Sequence, residues 1–402
     1  MIADRVLLPP AGHDPASVRA LFAALATDTG VDGARYVGGW VRDTLLGLAS
    51  QDVDLATVHA PSDVTARLEA AGIRYWTTPS GLAHGTVTAM LAGHPLEITT
   101  LRRDVATDGR HAQVTFTDDW RADAARRDFT INALSANPRS GVVHDHFGGL
   151  ADLAAGLVRF IGDPLVRIAE DHLRILRFFR FHARFGRGAP DAASYAACAA
   201  RANDLMALSR ERIATELLKL LALPDPTATI AIMVDGGLFA PVLPEIDAAA
   251  LPRLAALIAA EAAADIPPDG LRRLAALLPV DPARAEAIAQ RLKLSKQQVL
   301  RVRLAATRDP DETPAALAYR IRLEPAIDRL LLTGGDPRAL AGWERPVLGI
   351  GGGDLIAMGL SPGPLVAQTL QQVERAWSDA GFPPDGVAPI ARAAVERVLA
   401  RG

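Results

Sequence analysis

The sequence predicts an α+β chain, in which a small head built on a mixed β-sheet is followed by helices alone. Three observations predict it. Helix and strand signals alternate up to about residue 140, strand signals nearly vanish from about residue 150, and helix-periodic stretches punctuated by Pro and Gly continue from there to the end.

Within the head, DPASVRALFAALA reads as a capped amphipathic helix and ARYVGG as a strand ending in a glycine turn. WVRDTLLG is a short helix stopped by Gly47, DVDLATV a strand, and PSDVTARLEAAG a helix with Pro61 at its start and Gly72 at its end. HGTVTAML and HPLEITTLR alternate, and Ala92 and Gly93 join them as a hairpin. Beyond the head, the helical stretches are EDHLRILRFFRFHARFG, RERIATELLKLLALP, LRRLAALLP, ARAEAIAQRLKLS and GPLVAQTLQQVERAWSDAG. No solenoid period and no low-complexity linker interrupts them.

The chain has 402 residues, half of them apolar, which is enough for about two to four domains and a sizeable core. The single cysteine, Cys198, has no internal disulfide partner and reads as a small core residue in a reducing compartment. The start, MIADRVLLPPAGHDP, lacks the basic and apolar regions of a signal peptide, and apolar runs such as 254–264 are broken by charge. A soluble, cytoplasmic protein is expected, with no membrane and no obligate protein partner. A net charge of −3 argues against non-specific coating of nucleic acid but leaves room for one basic groove. Between Arg159 and Arg187 seven arginines (159, 167, 174, 177, 180, 184, 187) face Asp163, Glu170 and Asp171.

The candidate chemistry lies near the start of the head. Asp52 and Asp54, two apart on one strand, leave the same face and could hold Mg²⁺, whose other ligands come from water and substrate phosphates. Glu97, on the second strand of the hairpin, is a third ligand if the strands are adjacent. Taken alone, D-x-D is a solvated strand end, but its context sharpens it. Just upstream, Gly38-Gly39-Trp40-Val41-Arg42-Asp43 stands at a strand-to-helix junction. The glycines let backbone N–H groups approach an anion, and Arg42 can grip phosphate. Together they describe a triphosphate held over magnesium.

GGWVRDTLLGLASQDVDLAT resembles the GG-x-VRD-x-LLG…D-x-D-x-x-T signature of class II tRNA nucleotidyltransferases and bacterial poly(A) polymerases. The likeness continues in order through LEITTLRRD, ARRDFTINALSANP, HFGGLADL, EDHLRILRFFRFHARFG and LSRERIATELLKLL, covering residues 35–220. It implies a nucleotidyltransferase head at 1–145, a helical neck for base recognition at 146–222, a helical body at 223–310 and a helical tail, binding tRNA, at 311–402. It also implies CCA addition: CMP and AMP, from CTP and ATP, joined to the 3′ end of tRNA with Mg²⁺ and release of pyrophosphate. By the same resemblance Asp52 and Asp54 are the metal-binding pair, with Glu97 as a helper. Gly38, Gly39, Arg42 and Arg127 contact the nucleotide, Asp128 and Asn132 shape the pocket, and Asp171, Arg174, Arg177 and Arg180 face the incoming nucleotide.

The neck motif has a physical reading beside the resemblance. On one helix, residues 171, 174, 177 and 180 step by about 60° each, so Asp171 and Arg174 share one base edge while Arg177 and Arg180 reach its flank or the phosphates. A carboxylate only accepts and a guanidinium only donates hydrogen bonds, which suits the amino group and ring nitrogen of cytosine and adenine alike. Uracil and guanine reverse the pattern, and rejection of that kind reaches about 10⁴-fold. The plainer alternative is a surface helix of paired arginines, against which stands the local supply of only Glu170 and Asp171.

Other signals carry less. GIGGG at 349–353 lacks a following Lys-Ser/Thr and reads as a turn before a helix, and Lys293 and Lys296 read as solvated surface. His144 and His146 cap or pack a junction, and with every histidine at or before His182 a histidine-based phosphohydrolase domain is not expected in the C-terminal half. The polar stretch from Asp104 to Phe116 is the candidate loop that reshapes the pocket between C and A. Poly(A) or A-only addition is the alternative within the family, disfavoured because the chain ends ARAAVERVLARG without a basic extension. A catalytically inert RNA-binding protein is the alternative outside it.

Overall fold

The computed structural model describes residues 14–27, 32–49, 53–107, 112–308, 312–383 and 386–400. Helix α1 (Pro15–Ala24) starts where the Asp14 side chain accepts the Ser17 N–H at 2.7 Å, with proline in its first turn, and buries Val18 and Leu21. Strand β1 (Ala34–Val37) is buried throughout and runs into α2 (Gly39–Leu45). β2 (Asp54–Thr57), α3 (Pro61–Ala70), β3 (Tyr75–Trp76) and α4 (Pro79–Ala83) follow. Next come β4 (Thr86–Leu91) and β5 (His94–Thr100), turned on Ala92 and Gly93, which have positive φ of 48° and 93° as the tight hairpin turn requires. The head also contains β6 (Arg102–Thr107), β7 (Ala112–Phe116), α5 (Trp120–Ala125), β8 (Ser135–Ala136) and β9 (Val143–His144).

Seven of these strands form one sheet in the order β3-β4-β5-β2-β1-β8-β9. β2 and β5 run parallel, and the other pairings are antiparallel, so the sheet is mixed as expected. β6 and β7 form a separate two-stranded ribbon. Of the stretch from Asp104 to Phe116, the described residues thus lie in these two paired strands and not in a loop, and 108–111 lie outside the described residues.

The rest is helical: α6 (Gly149–Ala155), α7 (Pro164–Glu170), α8 (Arg174–Phe185), α9 (Ala192–Ala200), α10 (Arg210–Leu221) and α11 (Thr227–Asp235). α12 (Leu251–Ala263), α13 (Gly270–Leu277), α14 (Pro282–Arg291), α15 (Lys296–Ala306), α16 (Pro314–Ile321) and α17 (Leu323–Thr333) follow, then α18 (Gly352–Ala357), α19 (Pro364–Asp379) and α20 (Ala388–Leu399). GIGGG runs into α18, whose first two residues are its last two glycines and where Asp354 accepts the Gly351 N–H at 2.8 Å, and Ser295 caps α15 through a reciprocal bond with Gln298. Near His144 and His146 it is Asp145 that caps, its carboxylate accepting the N–H groups of Phe147, Gly149 and Leu150.

The chain divides into two compact units, one of Met1–Glu216 with Gly236–Val242 and the other of Leu217–Asp235 with Leu243–Gly402. In the first, α8 buries Ile175, Leu176, Phe178, Phe179, Phe181 and Phe185. Phe178 stacks on Phe160 (5.7 Å between centroids), and Phe181 lies 5.2 Å from Phe129, so aromatic packing holds α8 against the segment that carries Asp128.

The second unit contains a buried ionic network. Arg272 donates to Asp328 at 2.8 Å and to Glu261 at 2.7 Å, while Arg301 donates to Asp328 at 2.5 and 2.9 Å. Arg273 donates to Glu261 at 2.9 Å and to the carbonyl oxygens of Leu221, Leu223 and Pro224, which lie at and beyond the end of α10. These carbonyls have no partner within the helix, and a cation is the favoured group there.

Candidate active site

β1 turns into α2 at Gly38, whose φ of 67° and ψ of −129° are reserved for glycine. A side chain here would also stand 2.8 Å from Arg127 Nη1. The Gly38 N–H donates to the Leu134 carbonyl at 3.0 Å, so this group is not free for an anion. One turn on, Arg42 is 5 % exposed. Its Nε donates to Asp43 at 2.8 Å, its Nη2 lies 2.7 Å from the same oxygen, and its Nη1 donates to Asn132. In this arrangement the guanidinium braces the pocket wall, stacked over Phe185 at 4.1 Å, and it lines the cavity. Burial draws its pKa below the ordinary value, against the pull of Asp43.

Asp54 opens β2 with its side chain exposed, and its parallel register partner on β5 is Glu97, also exposed. Register partners on neighbouring strands point to the same face, with strands about 4.8 Å apart. The adjacency that Glu97 needed is present, and two hard carboxylates side by side suit a hard divalent cation. Asp52 lies outside the described residues. Among those described, no group of three His, Cys, Asp or Glu side chains is placed to hold a metal ion.

Asp128 and Asn132 join the Arg42 corner to the neck. The Asn132 amide accepts from Arg42 through its oxygen and donates to Asp128 through its nitrogen at 2.9 Å. Asp128 accepts further from the Phe129 N–H at 2.9 Å and from Arg177 through Nε at 2.8 Å and through Nη2. Burial works against the Asp128 charge, yet Arg177, Asn132 and the Phe129 N–H hold its carboxyl below the ordinary carboxylate value. Arg127 is anchored by Asp123 at 3.2 Å.

The neck departs from the expectation of one continuous helix. Asp171 has extended backbone (φ −153°, ψ 106°) between α7 and α8, so the 60° stepping holds only for Arg174, Arg177 and Arg180. Asp171 caps the turn into α8, accepting the Leu173 N–H at 3.1 Å. Arg174 donates to Glu170 and, at 2.8 Å, to the Arg167 carbonyl. The shortage of local acids is met from other segments: Asp128 for Arg177, Glu216 at 2.6 Å for Arg180, and Asp43 at 3.3 Å for Arg184.

These residues converge on one cavity of about 690 Å³, lined by Gly38, Gly39, Trp40, Arg42, Asp43, Asp54, Arg127, Asp128, Asn132, Asp171, Arg174, Arg177, Phe181 and Arg184. That volume is within the range of a small-molecule site. Of the described residues expected at the site, Glu97 and Arg180 are outside this lining. Asp43, Arg184 and Phe181 were not expected in it, nor was Arg212 beside Asp171. Asp43 follows Arg42 directly in the glycine motif, whereas the roles of Arg184 and Arg212 depend on partners distant in sequence. Asp43 is shared by Arg42 and Arg184, Asp128 is taken by Arg177 and Arg127 is held by Asp123, so the cavity gathers more guanidiniums (Arg42, Arg127, Arg174, Arg177 and Arg184) than carboxylates, a lining that suits an anion.

Residues 34–159 match the family described as "Poly A polymerase head domain", and residues 189–250 match "Probable RNA and SrmB- binding site of polymerase A". The mouse (Mus musculus) protein "CCA tRNA nucleotidyltransferase 1, mitochondrial" is 35% identical over 368 residues, spanning 87% of this chain and 83% of the relative. A "CCA-adding enzyme" from Anoxybacillus flavithermus is 38% identical over 215 residues, 53% of this chain and 52% of that one. Among solved structures, the Bacillus stearothermophilus CCA-adding enzyme in complex with CTP superposes with a TM-score of 0.75 at 28% identity, covering 96% of this chain and 98% of that one. Among the described residues no helix is long and apolar enough to cross a membrane. By these matches, over 87% of the chain to a relative 35% identical and over its head to the family's own domain, the chain belongs to the class II CCA-adding tRNA nucleotidyltransferase and poly(A) polymerase family.

Proposed function

We infer that this protein adds CMP and AMP, from CTP and ATP, to the 3′ end of tRNA, releasing pyrophosphate. The observation that carries the reading is the convergence of Asp54, the Gly38-Gly39 corner and the neck residue Asp171 on one cavity, in a chain similar over most of its length to CCA tRNA nucleotidyltransferases. The four-part division at 145, 222 and 310 belongs to the same proposal. So does a cytoplasmic location, supported by the single unpaired Cys198; cell fractionation tests it, since relatives named mitochondrial exist.

The family's chemistry depends on a divalent cation, and Mg²⁺ is the ion proposed, held by Asp52 and Asp54 with Glu97 beside them. When bound, it supplies polarisation of the RNA 3′-hydroxyl and charge neutralisation on the pyrophosphate. The chain's own residues do the positioning. Arg127 and Arg177 face the triphosphate, Gly38 makes room for Arg127, and Gly39 begins the helix whose first N–H groups face the phosphates. Arg42, Asn132 and Asp128 keep that wall rigid. Asp171 accepts from the amino group of cytosine or adenine, while Arg174 and Arg180 shape the base-facing side. Phosphoryl transfer needs little covalent help, so positioning and charge dominate.

The test offers tRNA lacking its CCA end, or ending in CC, with Mg²⁺ and either CTP alone or ATP alone. CMP incorporation is expected, with loss on chelation by EDTA and in Asp54→Ala. AMP incorporation from ATP without any CMP incorporation from CTP would establish A-only or poly(A) addition instead.

A further inference from the structure

The Asp171 side chain is held from outside its own segment. No helix fixes it, because its backbone is extended between α7 and α8. Three contacts do. The Leu173 N–H donates to Oδ1 at 3.1 Å, and Nη2 of Arg212 donates to Oδ1 at 3.1 Å and to Oδ2 at 2.9 Å. Arg212 comes from α10, which carries Glu216 one turn further on as the partner of Arg180. The helix thus presents a cation to the acidic end of the neck motif and an anion to its basic end. Asp171 and Arg212 are 29% and 31% exposed, so a solute can reach the pair, and Asp171 lines the cavity.

We propose that Arg212 is a specificity-determining positioning residue, clamping the Asp171 carboxylate in one rotation so that uracil and guanine are rejected. The proposal rests on the reading of Asp171 as the acceptor for the base amino group. A carboxylate has about four acceptor positions. Leu173 and Arg212 occupy both on Oδ1 and one on Oδ2, which leaves one for the nucleotide. Accepting an amino group does not require a fixed carboxylate, since a mobile one turns to meet the donor. Rejecting a carbonyl does require it: a carboxylate free to rotate swings away from uracil's oxygen, and the clash between two acceptors disappears. Arg174 does not supply the clamp in this structure: its Nη1 donates to Glu170 and the Arg167 carbonyl, and its Nη2 to the Arg126 carbonyl at 3.5 Å. Loss of Arg212 therefore relaxes rejection more than it weakens acceptance.

The experiment measures kcat/KM for single additions of CTP and UTP to tRNA lacking its CCA end, with the tRNA Kd measured in parallel. Arg212→Met removes the clamp at similar volume. The CTP-over-UTP ratio is expected to fall by roughly 10- to 100-fold, mainly through a rise in UTP use, with the tRNA Kd within about twofold of the parent. Arg212→Lys keeps the charge without the planar fork and is expected to recover part of the ratio; should the Met variant fail to fold, an unchanged ratio in the Lys variant overturns the proposal. A ratio within about threefold of the parent in Arg212→Met overturns it directly. Asp171→Ala separates the two levels. If it lowers the ratio while Arg212→Met does not, the clamp alone is refuted, whereas an unchanged ratio in Asp171→Ala refutes the base-edge reading beneath it.

Discussion

Gly38 owes its place in the site to the atoms it lacks. At its positive φ a methyl group is strained, and it would stand 2.8 Å from Arg127 Nη1, which would have to shift. Gly38→Ala should cost about 1–3 kcal/mol of stability and displace Arg127, lowering incorporation well beyond what the lost stability explains; thermal melting and a CMP-addition assay measure the two effects. The sequence identified the right glycine with the wrong emphasis. An anion cradle is a local property of a strand-to-helix corner, so the motif was visible, but the Leu134 carbonyl that takes the Gly38 N–H lies far along the chain. Arg42 teaches the same lesson. Its position suggested phosphate, while Asn132, ninety residues away, claims one of its nitrogens and Asp43 the others.

Among the elements, those defined by local rules were legible and those defined by partners were not. The Ala92-Gly93 hairpin and its strands β4 and β5 followed from turn chemistry and alternation. The break between α7 and α8 did not, because EDHLRILRFFR is helix-periodic on both sides of Asp171 and the break is stabilised by Arg212 from another helix. In LRRLAALLP the helix α13 was readable, but not that both arginines point inward; Arg272 and Arg273 are buried because Glu261 and Asp328 meet them. Asp328 is wholly buried between Arg272 and Arg301, so Asp328→Ala should strand two guanidiniums and cost about 3–5 kcal/mol. Urea denaturation reads that loss directly, and a change under about 1 kcal/mol would show that water or neighbouring acids replace the carboxylate.

At the scale of the whole molecule, the α+β head followed by helices was fully readable, since it depends only on which periodicity dominates each stretch. The route of the chain between its two compact units was not, because membership of a unit is decided by packing. The chain leaves the first unit after Glu216, returns for the seven residues Gly236–Val242, and departs again. That short return includes the buried side chains of Leu238, Phe239 and Val242. The chain thus passes between the units three times, and a cut after Val242 keeps these three side chains with the first unit only by carrying Leu217–Asp235 of the second along. A fragment ending at residue 222 should aggregate or melt well below one ending at residue 242, as light scattering and calorimetry would register. Any gene fusion or split version of this enzyme inherits that constraint on where its seam can lie.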